Sequence, residues 1–353
     1  MPYPETYATM IDLISQKLQD TGNAVWTDAE ILLYFTEALR EISQYSPQIR
    51  MLEFLIESRR GTASETSAGY LVDDVEDQFV AGDVGKIAYN VDDRTWAYIK
   101  TYTDETKIGV GKDIFADGES YRIFNKNCNH QKELYIGEFT DWLWIDKIEF
   151  PAMEDSPRYV KWIERGRDVI RLDIDEEPDD TSESDARNEA WVFFAMRHKL
   201  SQLTDLAAKS VAAVEGATSM GITATQVSTT IEMGQEFTIA NERGIYVVTA
   251  NATTGADQTA TIYFWPPLES SVDTNEVITF ISSTLTSKLE GIFADLVAGK
   301  AAMHKASSYI NLINKGGPSV WRNMYEWGKL KYEEAKEELE SIRGFVAPSI
   351  ALP

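Results

Sequence analysis

The hydrophobic period changes twice along this chain, and that limits its architecture more than any other feature. Tyr7, Met10, Ile11, Ile14 and Leu18 recur at steps of three and four, the spacing of one helix face, and Gly22 follows as a stop. Thr27 and Glu30 then form a capping-box pattern, Ile31, Phe35, Ala38, Leu39 and Ile42 continue the stripe, and Pro47 ends it. The opening therefore reads as a helical hairpin. From about residue 52 the period moves toward two, with β-branched and aromatic residues between Gly, Asp and Asn turns, as in IAYNVDDRTWAYIKTY and KIGVGKDIFADGESYRIFN. WLWIDKIEFP, the strand-like VIRLDI and the acidic run DIDEEPDD (173–180) read as a connecting region, and EAWVFFAM as a short buried strand or helix. A second β unit follows from about Met220 to Ile281.

Helical spacing then returns. Leu285, Leu289, Ile292, Phe293, Leu296, Val297 and Met303 mark a long helix to about Asn314, and Gly316-Gly317-Pro318 breaks it. In the last helix Trp321, Gly328, Ala335 and Ile342 recur every seven residues, with Tyr325, Tyr332 and Leu339 four behind, a heptad seam that requires a partner helix. The final FVAPSIALP is apolar and Pro-punctuated, too short to fold alone. Long crossover helices are missing between the strands, so the β units should be antiparallel.

The expected fold class is α+β: a helical-bundle core of N- and C-terminal helices with two inserted small antiparallel β barrels or sandwiches. The expected boundaries are a helical hairpin over 1–51, a first β-rich insertion with connecting strands over 52–180, and a second over 181–281. Long C-terminal helices then span 282–344 and a docking tail 345–353. A length of 353 residues agrees with several units, because one core rarely organises that much chain.

Charge excludes one large class of function. Lys and Arg number 33 against 57 Asp and Glu, a net −24, and tight nucleic-acid binding depends on a basic face that neutralises phosphate. One cysteine, Cys128, cannot form an internal disulfide, and the N-terminus lacks a basic and apolar leader, which points to a reducing cytosol. No apolar run approaches the roughly 18 residues needed to span a bilayer.

The search for chemistry finds no motif. His130, His198 and His304 lie in no metal or triad spacing and read as ordinary surface or loop histidines. Cys128 beside His130 in NKNCNH suggests a nucleophile with its base, but residues two apart on a loop rarely present that geometry. DIDEEPDD lacks the Gly-bearing register of a calcium loop and reads as solvated. GDVGK (82–86) and GKD (111–113) lack phosphate-loop spacing and read as turns. Trp96, Trp142, Trp144 and Trp162 sit in alternating contexts and read as core. The expectation is no catalysis, no metal and no cofactor.

The segment VWTDAEILLYFTEALREISQYSP resembles the opening of head-to-tail adaptor (connector) proteins of tailed bacteriophages, with Trp26, Asp28, Glu30, Ile31, Tyr34, Ala38, Leu39 and Glu41 in place. The two β segments resemble modules of phage virion proteins. The resemblance implies a homo-oligomeric ring, usually of twelve copies, in the virion neck under the portal protein, made in the bacterial host cytoplasm. Such a ring extends the DNA channel, with DNA passing ungripped, and offers a face to the tail or other neck proteins. On that reading Phe345, Val346, Pro348, Ile350 and Leu352 form a portal-docking tail. Trp321, Tyr325, Tyr332, Leu339 and Ile342 form a packing seam within or between subunits. The alternatives are another tail, baseplate or capsid decoration protein, or a carbohydrate-binding or carbohydrate-cleaving β protein. None involves a membrane.

Overall fold

The computed structural model describes residues 6–22, 24–183, 186–201, 203, 206–309 and 319–343. The chain divides into two compact units, one of Met51–Thr140 with Ile145–Phe194, the other of Met1–Arg50, Asp141–Trp144 and Ala195–Pro353.

In the second of these, helix α1 (Tyr7–Lys17) opens on Thr6, whose side chain accepts from the Thr9 amide while Thr9 answers to the Thr6 amide. The expected Thr27–Glu30 capping box opens α2 (Asp28–Leu32). The single helix expected from there to Pro47 is two, parted at Leu33 and Tyr34 before α3 (Phe35–Tyr45). Between α1 and α2 the Asp20 carboxylate accepts the amides of Ala24, Val25 and Trp26 at 2.7–2.9 Å, which shapes the turn. Two long helices, α4 (Ser287–Tyr309) and α5 (Val320–Arg343), complete the helical part.

Helix α4 is apolar on nearly every side, and its sequence explains why. Besides the large stripe of Leu289, Ile292, Phe293, Leu296 and Val297, the remaining faces carry Ala294, Ala298, Ala301 and Ala302, all buried. Phe35 of α3 sets its ring edge-on to Phe293 and to Tyr7, each at 5.0 Å. Lys17–Asp295 (2.8 Å), Lys305–Glu30 (2.8 Å) and Lys300–Glu41 (3.1 Å) tie α4 to the N-terminal helices at its rim. Against α5 the approach is closer than side chains allow. A Cβ on Gly328 would lie 2.8 Å from the Gly299 carbonyl and 2.9 Å from the Ala302 methyl, and one on Gly299 would lie 2.8 Å from the Gly328 carbonyl. The two glycines let the backbones touch.

His198 lies on a loop, as one of its two expected positions had it, but is buried rather than on the surface. Its Nε2 donates to the Ser46 carbonyl at 2.8 Å, and Nδ1 lies 3.1 Å from the Thr284 hydroxyl. Burial holds its pKa below the usual histidine value, against the opposing effect of those bonds, so the ring is a neutral strut.

The same unit contains β13 to β20, numbered after twelve strands of the other unit: β13 (Ala208–Ser210), β14 (Ser219–Thr223), β15 (Thr230–Ile231), β16 (Glu236–Ile239), β17 (Tyr246–Ala250), β18 (Ala252–Thr253), β19 (Thr259–Trp265) and β20 (Val277–Phe280). Six close into a barrel in the order β13-β14-β19-β17-β16-β20, while β15 and β18 pair separately. Phe237 fills the barrel centre, stacked on Tyr246 at 5.5 Å and edge-on to Phe264 at 5.6 Å. Closure leaves these six strands no open sheet edge.

The other unit is built on β1 (Gln48–Leu55), β2 (Arg60–Thr62), β3 (Tyr70–Val72), β4 (Ile87–Asn90), β5 (Thr95–Asp104), β6 (Lys107–Val110), β7 (Ser120–Phe124), β8 (Glu133–Tyr135), β9 (Trp144–Glu149), β10 (Tyr159–Glu164), β11 (Val169–Asp173) and β12 (Glu189–Met196). They form two six-stranded sheets, β2-β7-β4-β5-β6-β3 and β1-β12-β9-β10-β11-β8. The first buries Ala88, Ala97, Ile99, Ile108 and Ile123 with Phe79 and Phe115. Its Tyr121 hydroxyl donates to Asp73 at 2.5 Å and accepts from Gln78 at 2.7 Å. The second sheet buries Leu52, Phe54, Ile148, Val160, Val192 and Phe194 on one side.

These sheets overturn the expected fold class. Twenty strands in four sheets, against five α-helices among the described residues, make the chain mostly β, and a helical-bundle core with β insertions does not describe it. VIRLDI, expected as strand-like, and EAWVFFAM, expected as a short buried strand or helix, are strands, and with WLWIDKIEFP of the connecting region they belong to one six-stranded sheet. The cause is physical. Short strands buried on one face give weaker periodic signals than the long helical stripes at the chain ends, so the helices dominated the reading.

Gly328→Leu tests the glycine contact. Overpacking it should cost about 1–3 kcal/mol or more, read as a lowered thermal midpoint, whereas Leu330→Ala on the exposed side of α5 should leave the midpoint in place.

Candidate assembly surface

An antiparallel sheet with one buried face normally turns polar residues outward. The β1-β12-β9-β10 part of its sheet does not. Leu52 and Phe54 of β1 and Val192 and Phe194 of β12 point inward, so alternation sends Met51 and Leu55, Trp191 and Phe193 to the other face. Tyr159 and Ile163 of β10 join them by the same alternation about buried Val160. Met51 is 39% exposed, Leu55 46%, Tyr159 46% and Ile163 58%, while Trp191 and Phe193 are half-buried.

Lys161, Glu149 and Glu189 share this face, and two of its polar groups meet aromatic ones. The Lys147 ammonium lies 4.4 Å from the Phe193 ring centre and 4.5 Å from that of Tyr159. The Trp191 indole donates to Glu53 at 3.2 Å. Rings clamped in this way present a firm apolar surface. Monomeric proteins rarely expose a contiguous apolar patch of this kind, and the cores of protein interfaces are enriched in aromatic residues and Met. Fully covering such a side chain contributes roughly 1.5–3 kcal/mol.

The residues singled out from sequence lie elsewhere. In the seam, Leu339 is fully buried with Ala335 beside it, Trp321, Tyr332 and Ile342 are half-buried, and Tyr325 is 45% exposed. Tyr332 and Ile342 pack on the cluster that includes α4, and the Tyr332 hydroxyl donates to Glu41 of α3 at 2.7 Å. The helix partner of α5 is thus α4 of the same chain. Phe345, Val346, Pro348, Ile350 and Leu352 lie outside the described residues.

Trp96 and Trp144, expected in the core, are 40% and 42% exposed, whereas Trp142 and Trp162 are half-buried. Cys128 is buried, and burial, reinforced by Glu133 and Asp168, pushes its thiol above the usual range, which disfavours the thiolate a nucleophile needs. His130 has its pKa lowered by burial and by Arg171. The acidic run is pinned rather than simply solvated: Glu177 meets Arg122 at 3.1 Å and Asp180 meets Arg60 at 3.4 Å. Among the described residues no group of three or more His, Cys, Asp or Glu is placed to hold a metal ion, and no helix is long and apolar enough to cross a membrane.

Sequence reasoning missed the main buried charge cluster, which uses the GDVGK segment. Glu57 meets Arg59 at 3.0 Å and Lys86 at 2.5 Å, Asp83 meets Lys86 at 3.0 Å and also pairs with Arg59, and Thr181 donates to Glu57 at 2.7 Å. Burial alone would raise the Glu57 pKa, but bonds and charges from Arg59 and Lys86 hold it down to about 2. Two carboxylates and two cations cancel, which suits a structural clamp. The only signal was a turn-like pentapeptide far in sequence from Glu57 and Arg59.

No known protein family matches this sequence, and no curated protein matches it.

If copies of the chain meet through this face, Met51→Glu with Phe193→Glu should abolish that self-association in sedimentation velocity while leaving the thermal midpoint nearly unchanged, because both substitutions are on the sheet face away from the core. Arg59→Met should cost about 3–5 kcal/mol by leaving Lys86 as the one cation of the cluster for two buried carboxylates. The Glu57 contribution has a defined pH sign. A carboxyl held at about 2, below its ordinary 4.5, stabilises fully above 4.5 and loses that stabilisation as pH falls toward 2, so denaturant titrations should show stability decreasing over that window.

Proposed function

We propose that this chain is a non-catalytic structural subunit of a tailed-phage virion, a head-to-tail adaptor whose copies form a ring in the neck beneath the portal protein. The observation that carries this reading is the outward apolar face around Met51, Trp191, Phe193 and Tyr159, which suits a neighbouring subunit better than water. The resemblance of the Trp26–Glu41 segment to adaptor openings supplies the family context, and the capping box at Thr27 and Glu30 shows that segment as a helix start.

The net charge of −24 suits a channel wall past which DNA moves. A surface poor in cations releases few counterions from phosphate and so holds DNA weakly. Ring closure also multiplies modest contacts, because each subunit meets two neighbours at high effective concentration. Tail or further neck proteins would attach to the ring face away from the portal.

Negative-stain class averages of the purified chain, alone and mixed with purified portal protein, test the reading. Rings with radial symmetry seated on the portal are the expected result. A monomer at every concentration, with no portal complex, would overturn it.

A further inference from the structure

The β2-β7-β4-β5-β6-β3 sheet carries a second unusual surface, on the side away from its core. Ala97 and Ile99 of β5 point inward, so Trp96 and Tyr98 point outward, 40% and 44% exposed, their rings edge-on at 5.4 Å. Tyr70 of β3 pairs with Gly109, which pairs with Thr101, and this places a third exposed ring on the same face across β6. The intervening strand has almost no side chains there. A Cβ on Gly109 would lie 2.2 Å from the Thr101 hydroxyl, and one on Gly111 would lie 3.0 Å from Cε of Lys100, so that hydroxyl and that lysine stem lie across the glycines between the rings.

Three ammonium groups border the rings. Lys112 lies 4.5 Å from the Trp96 ring centre and Lys107 4.5 Å from that of Tyr70, with Lys100 between them. In a chain with 33 basic residues against 57 acidic ones, three lysines interleaved with exposed aromatic rings form a local exception. Aromatic faces stack on the C–H faces of sugar rings, and ammonium groups pair with carboxylates.

We propose that this face binds a carboxylate-bearing polysaccharide, with Tyr70, Trp96 and Tyr98 against its sugar rings and Lys100, Lys107 and Lys112 on its carboxylates. Charge complementarity selects that ligand over a neutral glycan, which would leave the ammonium groups without anions. Single-stranded nucleic acid also pairs ring faces with anions, and the oligo-thymidine arm of the test separates it from the polysaccharide. Asp104 lies opposite Lys107 in the strand register and Asp113 follows Lys112, so the patch is locally mixed in charge, while more distant acids are screened beyond about 8 Å at physiological salt. The proposal concerns a different sheet from the assembly surface and stands apart from the ring reading.

Affinity gel electrophoresis of the full chain through polygalacturonate, through dextran and with a labelled oligo-thymidine tests it. Retardation by polygalacturonate alone is expected, weakened at least tenfold in Trp96→Ala and in Lys112→Gln, with thermal midpoints unchanged. Absence of retardation, equal retardation by dextran, or preference for oligo-thymidine would each overturn the proposal. So would full binding by Lys112→Gln, a surface change that decides the matter even if Trp96→Ala misfolds.

Discussion

Helix α4 is surrounded, and the helical part of its unit depends on that. A helix with alanine or larger apolar residues around most of its girth has no stable exposed form in water, so α1, α2, α3 and α5 cover it. In turn α1, α2 and α3 have little reason to persist alone, since isolated helices of their length are marginal. The Gly299–Gly328 contact sets how closely the last helix approaches, and the rim ion pairs from Lys17, Lys300 and Lys305 select which helix lies where.

The β parts meet a different requirement. Strands this short satisfy their backbone groups only through neighbours, and the barrel does so by closure, with Phe237 filling its centre. The two open sheets instead bury one main face each, the first also burying Ile87 and Phe124 of its other face with Cys128 and Val169, and fix their loops with polar clamps, Tyr121 with Asp73 and Gln78, and Glu57 with Arg59, Asp83 and Lys86. Clamps of that kind contribute little net stability when complete and cost heavily when broken, so they specify geometry more than they add strength.

What distinguishes the molecule from an ordinary β protein lies on the outsides of those open sheets. One outer face is apolar and aromatic with some of its polar groups turned to the rings, and the other is aromatic and cationic. Neither contains convergent acids, bases or nucleophiles of the kind a reaction needs, and both suit contact with something large. Both are extended faces rather than clefts, a form suited to contact by area and complementarity.

The sequence alone determined the local pieces: the capping box at Thr27 and Glu30, the stripes of α1, α4 and α5, the strand at TWAYIKTY and the charge excess. Each depends on neighbours within a turn or a strand, so spacing suffices to read it. Tertiary structure alone decided the rest. Whether the Trp321–Ile342 seam met its own chain or another, whether Trp96 was core or surface, and whether Asp83 and Lys86 were a loose turn or half of a buried clamp all depend on residues far apart in sequence. Alternation states that two faces of a strand differ, but only the packing of one sheet face against a core determines which is wet. For that reason the predominance of β structure and the outward position of Phe193 were not legible beforehand, although every residue involved was in plain view.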